Sequence, residues 1–284
     1  MKKILITGHR GFIGRYLTKY FSQDNDIFTV PKKVFNSGSA LRAKLNSYNC
    51  DYIFHLVGHT SPPEENYEYY SDQIKNTLLP TVNLALNAPN TTKVIIFFGS
   101  IEEYGDSKIP YTENNVPKPT TSYGWAKYSS YLAVKRIMED RKIPYIWVRP
   151  GLVIGEHASP QRLFGQIFNH LNNNKKLKIR NPNHIRDFIT VGNLVKIMDV
   201  IKDNKKAYNS TLNISLENYF NIKNLYEHLS EGVNLIKLKK DRLTGLPGKD
   251  VLVNSAKKLK NIIGKNFENN INEYLGTLIK KNKK

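Results

Sequence analysis

Lys3-Ile4-Leu5-Ile6-Thr7-Gly8-His9-Arg10-Gly11-Phe12-Ile13-Gly14 is a short apolar run that ends in three glycines spaced Gly-x-x-Gly-x-x-Gly. A helix-like pattern follows at once. The stretch reads as a buried strand, a tight turn and a helix whose N-terminus faces the turn. Free N–H groups and the positive end of the helix dipole favour a phosphate at that point. Gly8 permits the turn, Gly11 lets backbone approach a pyrophosphate, and Gly14 lets helix and strand pack closely. A glycine pattern alone is weak; its place between a strand and a helix strengthens it.

Outward from this turn, apolar runs of strand length alternate with helical stretches. Strands are predicted at 3–7, 27–30, 52–57, 94–98 and 145–149, and helices at 12–21, 40–48, 69–88 and 123–141. Such alternation implies an α/β fold with a doubly wound parallel sheet and right-handed crossovers. Val94-Ile95-Ile96-Phe97-Phe98 is a continuous apolar run, as a strand buried on both faces requires. After Gly155 the pattern changes. A helix at 163–172 leads into a polar stretch, then a strand at 186–191 feeds a helix at 191–201, and loops surround Gly245-Leu246-Pro247-Gly248. The expected organisation is a dinucleotide-binding domain over residues 1–160, to which 186–205 returns. A smaller C-terminal α/β substrate lobe, mainly residues 161–284, closes a cleft against it.

At 284 residues the chain can bury a full core. No secretory signal is read at the N-terminus, and no stretch approaches the roughly 20 apolar residues that span a bilayer. The single cysteine, Cys50, excludes an internal disulfide framework and a multi-cysteine metal site. A cytoplasmic protein without a metal and without a membrane partner is expected. The formal net charge of +19 raises nucleic acid as a partner. Against it, lysine and asparagine are spread throughout and no aromatic-interleaved basic stripe stands out, so no nucleic-acid role is assigned. The tail Lys280-Lys281-Asn282-Lys283-Lys284 is expected to be frayed and solvated. A basic surface also suits small anionic substrates such as nucleotide diphosphates.

The second constellation is Ser122-Tyr123-Gly124-Trp125-Ala126-Lys127. Tyr123 and Lys127 are four apart and share a helix face. An ammonium held near a tyrosine stabilises the phenolate and makes the phenol a usable acid or base. Ser100 lies just past a buried strand, where open α/β sheets bind ligands, and its hydroxyl is placed to bond a substrate carbonyl oxygen. A serine that merely caps the next segment is the competing account.

With these pieces the chain resembles the extended short-chain dehydrogenase/reductases, in the NAD-dependent epimerase/dehydratase group that modifies nucleotide-activated sugars. The resemblance rests on the glycine turn, Phe54-His55-Leu56-Val57-Gly58, Asn76, Gly99-Ser100-Ile101-Glu102-Glu103-Tyr104-Gly105 and Tyr123-Gly124-Trp125-Ala126-Lys127. It continues through Val148-Arg149-Pro150-Gly151 and Arg186-Asp187-Phe188-Ile189, and is only general beyond residue 215. It implies a Rossmann-type domain and a Ser100–Tyr123–Lys127 catalytic set. Tyr123 would exchange a proton with the sugar, Ser100 would polarise it, and Lys127 would tune Tyr123 and bind the nicotinamide ribose. Gly8, Arg10, Gly11, Phe12, Ile13, Gly14, Lys32, Lys33, Leu56, Val57, Gly58, Tyr123, Lys127 and Pro150 are the implied cofactor contacts. Ser100, Glu102 and Arg186 are the implied substrate contacts. Asn76 would support the lysine through water, or be satisfied within its own helix.

In this family an acidic residue after the second strand grips the ribose of NAD(H); here Val30-Pro31-Lys32-Lys33 carries none. A cation there welcomes the 2′-phosphate of NADP(H), although lysines are common throughout this chain. Arg10 lies inside the turn itself, in a Gly-His-Arg-Gly sequence similar to that of an NADPH-using member. The resemblance thus implies NADP(H), with NAD(H) as the alternative. Dehydratases of the group carry an acidic pair directly after the catalytic hydroxyl residue; here Ile101 takes the first position. A ketoreductase acting on a 4-keto-6-deoxy nucleotide sugar in surface polysaccharide synthesis is therefore expected. A 4-epimerase with bound NAD is the alternative, and a non-catalytic NADP-binding regulator is the remaining reading. The usual asparagine after the Arg-Pro of the sixth strand is missing, which leaves Arg162, Arg180, Arg186 and Arg242 as candidates for the substrate phosphates. A homodimer through the Tyr/Lys helix is implied, with Tyr128, Tyr131 and Leu132 on the face or in the core.

Overall fold

The computed structural model describes residues 1–59, 66–159, 162–173, 179, 181–243, 250–264 and 267–282. Arg180 and Gly245-Leu246-Pro247-Gly248 lie outside the described residues. In chain order, β1 (Lys2–Thr7), α1 (Phe12–Phe21), β2 (Asn25–Phe28), α2 (Gly38–Tyr48) and β3 (Tyr52–His55) lead to α3 (Glu68–Gln73) and α4 (Leu79–Asn87). Then follow β4 (Val94–Phe98), α5 (Ser122–Arg141) and β5 (Tyr145–Pro150). The first sheet has six strands, all parallel, in the order β2-β1-β3-β4-β5-β8, where β8 is Ser210–Ile214.

Successive residues of each strand feed opposite layers, as the two-residue period requires. Ile4, Ile6, Val94 and Ile96 enter one apolar cluster with Leu17, Leu194 and Met198. Leu5, Ile95 and Phe97 enter the other with Leu41, Leu84, Val134 and Trp147. These strand residues are fully buried, and each side chain contributes about 1.5–3 kcal/mol by leaving water. Helices therefore cover both faces, and the sheet is doubly wound.

A second sheet is built from β6 (Leu152–Ile154), β7 (Ile185–Thr190), β9 (Tyr219–Asn221) and β10 (Val251–Leu252). α6 (Leu163–Asn173), α8 (Ile222–Glu231) and α10 (Ile271–Asn282) add to it, and Phe164, Phe188, Phe220, Leu225 and Leu275 form its core. α7 (Val191–Lys202) and α9 (Lys257–Ile263) return to the first sheet, where Leu194 and Leu259 join its core.

β3 ends at His55 rather than at residue 57, and three further departures from the sequence reading have a clear cause. β2 occupies 25–28 rather than 27–30, because its pairing with β1 runs from Lys2↔Asn25 to Leu5↔Phe28. The helix expected at 69–88 is α3 and α4 joined by a π-helical turn, Ile74–Leu78. Pro80, with no N–H to donate, stands at the start of α4 and breaks the regular ladder. Finally, 280–282 belong to α10, whose buried Leu275 and Leu278 hold the helix down; Lys283 and Lys284 lie outside the described residues. Among the described residues no helix is long and apolar enough to cross a membrane.

Candidate active site

The loops after β1 and β3 leave the sheet in different directions, and a cleft of about 410 Å³ opens at their carboxyl ends. Gly8 turns the chain with φ +69°, a left-handed conformation that side chains rarely adopt. A Cβ on Gly14 would lie 2.3 Å from Gly8 O, so only hydrogen lets α1 start this close to the turn. The α1 N-terminus at Gly11 has no side-chain cap and no acid in its first turn. With Gly11, Phe12 and Ile13 on the cleft wall, this end is suited to a diphosphate.

Ser100 follows β4 and caps the short turn Ile101–Glu103. Its Oγ accepts from Glu102 N at 3.2 Å, and its own N–H donates to Glu103 Oε1 at 2.9 Å. Capping and lining the cleft are thus one placement, since Ser100 is also on the cleft wall. Glu103 is fully buried and accepts from Arg149 Nε at 2.7 Å and from Trp147 Nε1 at 3.0 Å. Arg149 lies over the rings of Tyr104 and Tyr131, at 4.6 and 5.2 Å.

α5 begins against this turn. Thr121 caps it by accepting from Gly124 N at 3.0 Å, and donates to Glu102 Oε2 at 3.0 Å. A Cβ on Gly124 would lie 2.5 Å from Glu102 O. This close approach brings half-buried Tyr123 to the same cleft as Ser100. One turn on, buried Lys127 donates to Phe98 O at 2.7 Å, with Nζ 5.8 Å from the Tyr123 ring centre. Burial pulls the Lys127 ammonium down to about 8, which Glu103 opposes and Arg162 reinforces. Burial pushes the Tyr123 phenol up; the Arg162 charge works the other way, and Glu102 and Glu103 add to the rise.

The cleft brings together Gly8, Gly11, Phe12, Ile13, Gly14, Leu56, Gly58, Ser100, Glu102, Tyr123, Lys127, Pro150 and Arg186. Arg10, Lys32, Lys33 and Val57 are not on its wall; Arg10, Lys32 and Lys33 are exposed. Arg186 donates to Ile185 O and Asp250 O, both at 2.9 Å, and lies 2.7 Å from His184 Nδ1. Its guanidinium is thus tied to the second sheet. Asn76 donates to Asp72 O in its own helical turn at 2.9 Å, so the local reading describes it. Arg242 is exposed and away from the cleft. Tyr131 packs against Trp147 at 5.5 Å while Leu132 is half exposed, so the two face opposite ways on α5.

Three features escaped the sequence reading. Among the four candidate arginines the sequence favoured Arg186, and the fold places Arg162 too on the cleft wall that Tyr123 lines. The Glu103–Arg149 pair joins residues from two neighbouring strands' ends, which spacing does not reveal. Asp187, fully buried on the cleft wall, has its carboxyl pushed up to about 8 by burial, despite bonds from Ser215 and Asn254 N. The Arg-Asp-Phe-Ile segment was its one signal.

Comparison with known proteins agrees with this architecture. A family model described as NAD dependent epimerase/dehydratase family matches residues 4–215. A dTDP-D-glucose 4,6-dehydratase of Dictyostelium discoideum is 26% identical over 241 residues, covering 71% of this chain and 55% of that protein. A UDP-glucose 4-epimerase of Neisseria meningitidis serogroup C is 27% identical over 209 residues, covering 61% and 59%. The chain thus spans less than two thirds of the length of these curated relatives. The structure of RMD from Pseudomonas aeruginosa complexed with NADPH superposes with a TM-score of 0.82, at 19% identity and 99% coverage of both chains.

Proposed function

The chain belongs to the NAD-dependent epimerase/dehydratase family, and from that premise we propose that it reduces a 4-keto-6-deoxy nucleotide sugar with NADPH. The observation that carries this reading is the meeting of Ser100, Tyr123 and Lys127 in one cleft with the Gly8–Gly14 turn. The uncapped α1 N-terminus would hold the cofactor diphosphate, and Lys127 beside Gly58 its nicotinamide ribose. NADPH, when bound, supplies the hydride.

Tyr123 gives its proton to the sugar oxygen. Burial keeps the phenol protonated, which is the state a proton donor needs. The Ser100 oxygen already accepts from Glu102 N, and its proton is left to polarise the same carbonyl. Ile101 lines the cleft beside Ser100 and offers no carboxylate for elimination of water, which argues against a dehydratase. An apolar wall there also suits a sugar methyl. The preference for NADPH rests on the segment after β2, where exposed Lys32 and Lys33 stand and no acid does, and on Arg10. The lobe after residue 160 would select the nucleotide and the sugar.

NADPH oxidation with 4-keto-6-deoxy sugars carrying dTDP, GDP, CDP or UDP tests the proposal; absence of oxidation with all four sinks it. Tyr123→Phe should lower the rate by about 10²–10⁴-fold, the usual worth of a positioned acid. The similarity to a UDP-glucose 4-epimerase supports a second reading, an epimerase with resident NAD. Protein that carries stoichiometric NAD and interconverts UDP-sugars without added cofactor would establish it instead.

A further inference from the structure

Behind the cleft, the buried side chains of Thr7, His55, Thr81, Thr77 and Gln73 form one hydrogen-bonded chain. Thr81 Oγ1 donates to Thr77 O at 2.7 Å. A hydroxyl has a single proton to give, so toward His55 Nε2, 3.2 Å away, Thr81 can only accept. His55 therefore carries its proton on Nε2, and its Nδ1 is an acceptor. Thr7 Oγ1 donates to Nδ1 at 2.9 Å and accepts from Leu56 N at 3.2 Å. Thr77 Oγ1 in turn donates to Gln73 Oε1 and accepts from His59 N, both at 2.8 Å. Each of these protons has an acceptor, and the direction of the chain is fixed. A second proton on His55 would leave the Thr7 hydroxyl facing a donor. Burial, reinforced by the Lys127 charge, draws the imidazole down to about 3, so the ring stays neutral.

The two ends of this chain serve two parts of the cleft. Thr7 precedes Gly8, and a Cβ on Gly8 would lie 3.2 Å from Leu56 C, so the glycine turn rests on the backbone after β3. Thr77 stands in the π-helical turn Ile74–Leu78, a form frequent at functional sites, and holds His59 N. A Cβ on Gly58 would lie 3.6 Å from Thr77 Oγ1 and 3.0 Å from Lys127 Nζ. Gly8, Leu56, Gly58 and His59 all line the cleft, whereas His55 does not. The pairing of β1 with β3 ends at Thr7↔His55, so beyond it the two loops depend on these side chains for their spacing. We infer that His55 is a positioning residue for the dinucleotide, its neutral ring setting the glycine turn at a fixed distance from the Gly58-His59 loop beside Lys127. This rests on the reading of the cleft as a nicotinamide dinucleotide site. His55 acts through Thr7 on the diphosphate end, and through Thr81 and Thr77 on the nicotinamide ribose end.

Two measurements on the full chain test this. The first uses no cofactor: in nitrogen-15 NMR of histidine-labelled protein, the His55 signals are assigned by their loss in His55→Gln. They should report the Nε2–H tautomer, unchanged from about pH 5 to pH 8. A charged ring or the Nδ1–H tautomer would overturn the assignment. The second reads NADPH and NADH affinity by fluorescence titration. Thr7→Val and Thr81→Val each remove one partner of His55 at nearly constant size, and each should weaken binding about tenfold. Thr7→Ser should keep most of the affinity of the parent. Because both threonines act through one imidazole, the double variant should lose little more than the worse single variant. If one variant folds poorly, the other and the NMR reading still decide. Losses that multiply, or folded variants that bind as the parent does, would overturn the positioning role and leave the cofactor reading standing. A parent chain that binds neither dinucleotide would overturn both.

Discussion

Glu103 and Arg149 meet at 2.7 Å with neither side chain reaching water, and the same carboxylate holds the backbone N–H of Ser100. The pair thus ties the end of β5 to the residue that faces the substrate cleft. Arg149 Nη2 already lacks a hydrogen-bond partner. Glu103→Ala should leave a buried charge uncompensated and cost about 3–5 kcal/mol in urea unfolding. The double variant Glu103→Leu/Arg149→Met should recover most of that loss, because two apolar side chains leave no charge behind.

Gly58 faces Lys127 across the cleft. A Cβ there would lie 3.0 Å from Lys127 Nζ. Gly58→Ala is expected to push the ammonium off Phe98 O while leaving the fold intact. NADPH affinity, followed by fluorescence titration, should fall about tenfold, the worth of one hydrogen bond to a charged group. Unchanged affinity would show that Lys127 does not hold the nicotinamide ribose.

Arg10 is exposed, and its carbonyl accepts from Arg15 Nε at 2.8 Å, which steadies the turn that carries it. If its guanidinium meets the 2′-phosphate, Arg10→Ala should weaken NADPH by about tenfold and leave NADH unchanged. Equal losses for both would move Arg10 to the diphosphate they share.

Asp187 makes stability depend on pH. Its carboxyl is raised from 3.8 to about 8, so between these values the folded chain binds a proton that the unfolded chain has released. This contribution is greatest below the unfolded value and is lost as pH rises through the folded one. Asp187→Asn keeps the size and cannot ionise. Its stability relative to the parent should therefore climb from about pH 4 to pH 8 in denaturant titrations, and a flat difference would contradict the assignment.

What was legible in the chain follows from the range of the interactions. The glycine turn, α1, β4 and the Tyr123–Lys127 spacing are local, and the structure reproduces them. The shift of β2 is a matter of register, decided by β1, and Val30 is buried outside the strand although it looked like part of it. The break at Pro80 was present in the sequence, but the apolar period continued through it. Arg162 acquires meaning only from its place on the cleft wall, and Glu103 only through its contacts with Arg149 and Trp147. No spacing rule separates them from the other arginines and glutamates of the chain.

β8 completes the first sheet from beyond residue 200, pairing with β5 from Ile146↔Ser210 to Pro150↔Ile214. Until β8 is in place, β5 is an open edge, and Tyr145, Ile146, Trp147 and Val148 are buried in the finished molecule. An unpaired apolar edge is a template for another chain. A fragment ending near residue 160 should therefore aggregate rather than bind a dinucleotide. The same exposure arises during synthesis, in the interval between the emergence of β5 and that of β8.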